Sequence, residues 1–267
     1  LTKLISTLSH TSVSMISKCP RQFWYRYVQG LKIRPSSAML FGSSYHETHE
    51  DNFNHLLECG EPFPLENVLE LFSGKWDSAK LNIDWKDEKL SAGALMDIGV
   101  MGLSEYYTRI LPTKDPKLVE FRFEVQLPEI TRTFVGIIDY IGKDGMISDH
   151  KTSGKRWNDT RAASEMQPSA YYLGYQYSQD LKELPIKGFT YEVIVKKKTP
   201  EVQVLNLNVS ETAIADYQSR IKTAEKLIEA EVFPKTDPTN WYCSEKWCGY
   251  YPHCMRHEPF VDVPDTF

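Results

Sequence analysis

The chain has 267 residues, 41% of them hydrophobic and 25% charged, the proportions of a globular protein with ample sequence for a core. No apolar run is long enough to span a bilayer and no signal peptide is visible, so a cytoplasmic setting is expected. A formal net charge of −5 excludes a globally basic nucleic-acid footprint and leaves only a local groove. Candidates for one are Lys155 and Arg156 and the run Lys196, Lys197, Lys198, whose plainer reading is solvated surface.

Residues 12–29 (SVSMISKCPRQFWYRYVQ) have helical spacing, with Ile16, Cys19, Phe23 and Tyr27 on one face. A Pro-Ser loop follows, and residues 37–59 read as a second helix. Further helices are expected over 61–112, separated by the polar stretch around NIDWKDEK and closed by Leu111 and Pro112. The texture then changes to strands at 118–127 (LVEFRFEVQL), 132–141 (RTFVGIIDYI) and 146–151. A helix over about 162–180 comes next. Strands at about 186–196 and 201–209 join around Thr199 and Pro200, and a helix over about 211–231 leads into a Cys/Trp/Tyr-rich tail. This order predicts an α/β (α+β mixed) fold, with a small, mainly antiparallel mixed sheet flanked by helices. No linker is visible, so one domain over 1–267 is expected.

The stretch GIIDYIGKDGMISDHKTS sets Asp139, Asp149 and Lys151 into or beside apolar strand-like runs, where a charge is costly unless paired or metal-bound. Lys143-Asp144-Gly145 fits a three-residue hairpin loop ending in a left-handed glycine. That register sets Asp139 opposite Asp149 and Ile137 opposite Lys151, so the three charges share a face. The two Cβ atoms would stand about 4.5–5.5 Å apart. Opposed carboxylates want a cation between them, either Lys151 or a hard divalent ion such as Mg²⁺ or Mn²⁺. A structural Asp–Lys bridge at a sheet end stands level with the metal reading on these residues alone.

Taken with three further elements, the stretch resembles the PD-(D/E)xK nuclease superfamily, in particular its RecB-like branch. Asp139 in GIIDYI resembles the first metal-binding aspartate, and Asp149-His150-Lys151 in SDHKTS the acidic-x-Lys half-motif. Gln167 and Tyr171 in MQPSAYY resemble the Q-x-x-x-Y helix, one turn apart on one face. His46 in FGSSYHETHE resembles the helix histidine that supplies another ligand. Taken singly, Gln167 also fits a capping box with Ser164, and His46 with His49 and Glu50 a helix face for Zn²⁺. Glu120 and Glu124 share a strand face where RecB-like members often carry a glutamate, and neither is placed among the metal ligands.

The resemblance implies a restriction-endonuclease-like core with an N-terminal helical region. It also implies a metal-dependent DNA nuclease, an exonuclease, hydrolysing phosphodiester bonds in DNA repair, recombination or related processing. His46, Asp139, Asp149 and the backbone carbonyl of His150 would hold Mg²⁺ or Mn²⁺. Lys151 would position water, and Gln167 and Tyr171 would orient Lys151 or the DNA backbone. DNA with a single-stranded portion is the implied partner, beside a helicase or recombination protein. The helical insertion at about 50–112 would arch over the strand, with Trp76 and Trp85 as base-stacking aromatics, although core packing is the commoner fate of such residues. The rival functions are an idle DNA-binding scaffold and a zinc-stapled phosphoesterase.

Five cysteines, an odd count, argue against a disulfide framework in a cytosolic chain. Cys243, Cys248 and Cys254 are spaced C-x4-C-x5-C, a soft-metal pattern short of one ligand that Cys19 in SKCPRQFWYRY would complete. Four thiolates suit an iron–sulfur cluster and zinc equally on softness. The set resembles the [4Fe–4S] site of the AddB nuclease domain and of CRISPR-adaptation nucleases, although the family trio usually runs C-x2-C-x5-C. Cys59 is left over, as a buried small hydrophobe, and His253 stands aside as a ligand.

Overall fold

In the computed structural model, which describes residues 5–260 apart from the side chain of Asp87, the apolar strands gather into one six-stranded sheet. They are β1 (Thr7–Ser9), β2 (Pro116–Val125), β3 (Thr133–Gly142), β4 (Met146–Ser153), β5 (Gly188–Val195) and β6 (Glu201–Leu207). The order is β1-β3-β4-β5-β6, and β2 also pairs with β3. Pairs β2–β3, β3–β4 and β5–β6 are antiparallel, whereas β1–β3 and β4–β5 are parallel, giving the mixed sheet expected. All of β5 is buried, as its continuous GFTYEVIV run requires of a strand covered on both faces. β1, at three residues, is too short to show a period in the sequence.

Helices α1 (His10–Lys18) and α2 (Pro20–Phe23), the latter continuing as a π turn over Trp24–Val28, replace the single helix expected over 12–29. Pro20 explains the break: proline pushes the preceding residue out of the helical region, and Cys19 is extended at φ −157°. The expected 162–180 helix likewise divides into α6 (Asp159–Ser164) and α7 (Gln167–Tyr177). Glu165 is extended between them, and Pro168 sits in the first turn of α7, where its missing N–H costs nothing.

Neighbouring residues of β5 point to opposite faces. Ile194 joins the core of α3 (Ser37–Cys59), α4 (Leu65–Ala79) and α5 (Ala92–Arg109), built on Phe41, Phe72, Trp76 and Leu103. Val193 joins the other core, with Val13, Phe134, Tyr171, Phe189 and, from α8 (Glu211–Glu229), Tyr217 and Ile221. The helical block therefore packs onto the sheet. Trp76 is fully buried and donates to Ala92 O (3.0 Å), while Trp85 donates to Lys80 O (3.2 Å) and meets Trp76 edge-on. Both serve the core, which overturns their reading as base-stacking residues.

On the Val193 face the ring of Phe123 is held between Gly136 of β3 and Gly174 of α7. A Cβ on either glycine would come within 2.4 Å of that ring. The two glycines thus set how closely α7 approaches the sheet. No described helix is long and apolar enough to cross a membrane.

Candidate active site

The site grows from the β3–β4 hairpin. Its loop is Lys143-Asp144-Gly145, with Gly145 left-handed at φ +84° and its N–H donating to Gly142 O (2.9 Å). The pairs Tyr140–Ser148 and Ile141–Ile147 have the expected register, but the ladder stops there. One position further on, at Asp139 and Asp149, β4 leaves β3 and runs in parallel register with β5, Asp149 beside Tyr191. The two aspartates sit at the fork. Parting the strands relieves the repulsion that like charges directly opposite would suffer.

The fork is tightly partnered. Asp139 Oδ2 accepts from the backbone N–H of His150 (3.1 Å). Tyr171 Oη lies 3.4 Å from Asp139 Oδ1 and 3.2 Å from Asp149 Oδ1, so one hydroxyl serves two carboxylates. Gln167, one turn earlier on α7, donates to Asp149 Oδ1 and to Tyr171 Oη, both at 2.7 Å. Its side chain is therefore spent on the fork, which overturns the capping box with Ser164. Lys151 Nζ stands 2.5 Å from Asp149 Oδ2.

From α3, His46 sets Nδ1 3.3 Å from Asp139 Oδ2 and Nε2 2.9 Å from Glu120 Oε1. Glu120 lies on β2 across from Asp139 and adopts a left-handed φ of +48°, a strained conformation for a glutamate. Strand alternation had put Glu120 and Glu124 on an equal footing. In the fold Glu124 turns instead to Arg122 at the surface. The ring of His150 also enters the site, with Nδ1 3.9 Å from Asp139 Oδ2. His46, Asp139 and His150 offer ligand atoms all within 4.8 Å of one another, the one such group among the described residues. His49 is not in it: its ring stacks on that of His150 at 4.3 Å, away from the zinc arrangement considered with Glu50.

Behind His150 lies a buried polar group that the sequence reading missed. Glu192 interrupts the apolar run of β5 and accepts from Lys114 and from Tyr106 (2.6 Å), with His150 Nε2 at 3.2 Å. Lys114 also reaches Ser148 Oγ (3.1 Å). A single glutamate inside GFTYEVIV was the available signal, because a charge in a fully buried strand needs partners. Glu192 holds the His150 ring from the side opposite Asp139.

Burial and then the neighbouring Asp139 push Asp149 up to about 6, against the pull of Lys151. Burial is the largest influence on Asp139 and works the same way, but the hydrogen bond from His46 and the charges of His46, Lys151 and His150 together outweigh it, and its carboxyl lies below the usual range. Burial would lower His46, yet Asp139 and Glu120 raise it to about 11. Lys151 is raised by Asp149 and Asp139 despite its own burial. The fork therefore gathers positive charge in the form of protons on His46 and Lys151. A divalent cation coordinated by the same oxygens and imidazoles would replace such protons. Carboxylate oxygens with imidazole nitrogens form a donor set that accepts Mg²⁺ or, better, Mn²⁺.

Elsewhere, Cys19, Cys243, Cys248 and Cys254 line one small cavity of about 20 Å³ with Tyr25, although more than two hundred residues separate Cys19 from the others. Among the described residues no three sulfurs lie within 4.8 Å of one another. Cys59 is exposed at the end of α3, its Sγ 3.5 Å from His55 Nδ1, which corrects its expected burial. The basic candidates are largely engaged, with Arg156 and Lys197 on Glu201 and Lys196 over the Phe41 ring.

A mixed sheet flanked by helices, opening into a fork with two buried carboxylates and a lysine, defines a restriction-endonuclease-like fold. A family model of the PD-(D/E)XK nuclease superfamily matches residues 7–255, and the chain belongs to that superfamily. Its structure is similar to the crystal structure of a "Putative exonuclease" from Eubacterium rectale, with a TM-score of 0.62 and 12% identity, over 99% of this chain and 92% of that one. A weaker likeness, to SSO0001, has a TM-score of 0.40 and 14% identity over 95% and 88% of the two chains. Comparison with curated proteins gives no match.

Proposed function

We propose that the protein is a metal-dependent deoxyribonuclease acting as an exonuclease. The convergence of Asp139, Asp149, Lys151, Gln167 and Tyr171 on the fork carries this reading. His46, Asp139, Asp149 and His150 hold Mg²⁺ or Mn²⁺. His150 contributes its backbone carbonyl or, as its place beside His46 and Asp139 favours, its ring. The bound metal supplies Lewis acidity toward the phosphate and toward water.

The chain's own groups supply the rest. Hydrolysis joins a water oxygen to phosphorus and breaks one P–O ester bond, so a proton must leave the water and charge on the phosphoryl oxygens must be offset. The Lys151 ammonium orients the water and offsets that charge. Asp149, with a carboxyl near 6, is ionised at neutral pH and fixes the Lys151 ammonium. Gln167 and Tyr171 hold Asp149 in place and limit the freedom of Lys151.

We assign the four cysteines to a [4Fe–4S] cluster that ties the N-terminal helices to the C-terminal segment. Four thiolates suit zinc equally on softness, and the likeness to the iron–sulfur RecB-like nucleases is what favours iron. We extend the reading to DNA repair or recombination beside a helicase-type partner, a role supported by the likeness of the sequence motifs to RecB-like nucleases. The nuclease reading is tested by incubating labelled single-stranded DNA with Mn²⁺ or Mg²⁺. Cleavage that EDTA stops and Asp149→Asn abolishes supports it, whereas cleavage surviving both overturns it.

A further inference from the structure

Two tryptophans of the C-terminal segment stand out in water, Trp241 at 69% and Trp247 at 57% exposure. Large indoles side by side at a surface mark an interaction site more often than chance. The rings meet edge-to-face, with centroids 5.4 Å apart and planes at 89°, an arrangement that leaves ring faces open. Lys246 places its ammonium 4.9 Å from the Trp247 ring, a cation held beside an aromatic face. Such a pairing suits a base above and a phosphate alongside.

The tryptophans form one wall of a groove of about 390 Å³, within the range of ligand-binding clefts. The opposite wall is one face of α1, with Thr11, Ser14 and Lys18, and Gln22 of α2 beyond it, spaced three or four residues apart. Ser12, Val13 and Ile16 turn the other way, into the core. The groove face of α1 thus presents two hydroxyls and an ammonium, and α2 adds an amide, all able to donate to phosphate oxygens. Among the described residues no acidic side chain lines the groove, in a chain whose net charge is −5.

His10, at the start of α1, also lines the groove, and its ring packs against Tyr217. Burial, then Lys151 and then Lys18 hold His10 down to about 4, so the fork lysine and the groove lysine both act on this one imidazole.

We propose that Trp241, Trp247 and the Thr11–Lys18 face of α1 form a stacking platform that receives the unpaired bases of single-stranded DNA on its way to the fork. The platform rests on the nuclease reading and narrows its substrate to strands with free bases. Base–aromatic stacking is sequence-tolerant, so the platform grips any sequence but requires bases.

The test is fluorescence anisotropy of the full-length chain with labelled oligothymidylate of about 16 nucleotides, in EDTA so that nothing is cut. An abasic strand of equal length and a blunt duplex run beside it. The wild-type chain binds oligothymidylate at least tenfold more tightly than the abasic strand, and W241A/W247A loses that preference while its thermal melt is unchanged. Leu81→Ala, at another exposed apolar side chain, keeps the preference. A double variant that still prefers oligothymidylate over the abasic strand overturns the platform alone and leaves the tryptophans to a protein partner. A wild-type chain that neither binds nor cuts DNA overturns the nuclease reading and the platform together.

Discussion

Asp149 holds the fork's pH dependence. It is fully buried beside a second carboxylate, and its carboxyl rises to about 6, while Asp139 keeps its charge through His46. The sign follows directly: below about 6 a proton occupies Asp149 and competes with metal, and above it the carboxylate is free. Mn²⁺ must also displace the proton on His46, so its affinity should rise about tenfold per unit from pH 7 to 8 and fall about a hundredfold per unit below 6, read from free Mn²⁺ by electron paramagnetic resonance. A slope that stays about tenfold per unit down to pH 5 would remove Asp149 from the metal site. Glu120 shows what residue-level reading misses. In the sequence it is one of two strand glutamates, and only a left-handed backbone and the approach of α3 bring it to His46.

At the scale of elements, α7 is placed by a ring held between two glycines. Phe123 is 2% exposed, and Gly136 and Gly174 press it from both sides, so the ring has nowhere to retreat. Gly174→Ala should destabilise the fold by about 1–3 kcal/mol and lower cleavage, because the helix that lifts away carries Gln167 and Tyr171. Gly74→Ala, in α4 where a Cβ meets nothing within 4 Å, should stabilise by up to about 1 kcal/mol. Urea denaturation of both variants separates the cases, and equal stabilities would contradict the sandwich. The hairpin register was legible because Gly145 fixed the loop and alternation fixed the faces. The end of the ladder was not, because β4 is held along its whole length by β5, a pairing made across a helical connection, and alternation does not tell where β3 parts from it. Proline moved helix boundaries at Cys19 and Glu165 without disturbing the faces the helices present. The core role of Trp76 was legible in part, since Phe72 stands one turn away on the same helix, whereas Phe41 comes from α3.

Across the whole molecule, the cysteine cavity joins Cys19, just after α1, to residues 243–254, beyond α8. A cluster there is a crosslink between distant parts of the chain, whose effect on the unfolded state grows with the loop it closes. Protein prepared without oxygen should be brown, with broad absorbance near about 400 nm, and Cys19→Ser should lose both colour and thermal stability. Colourless protein carrying stoichiometric zinc would contradict the assignment. The central claim is that the fork cuts DNA with the help of Lys151. The most direct test digests 5′- and 3′-labelled single- and double-stranded DNA with Mn²⁺, wild type beside Lys151→Ala. The wild type should shorten the strands stepwise from an end, and the variant should lose about 10²–10³-fold in rate. Equal digestion by the two proteins would contradict it.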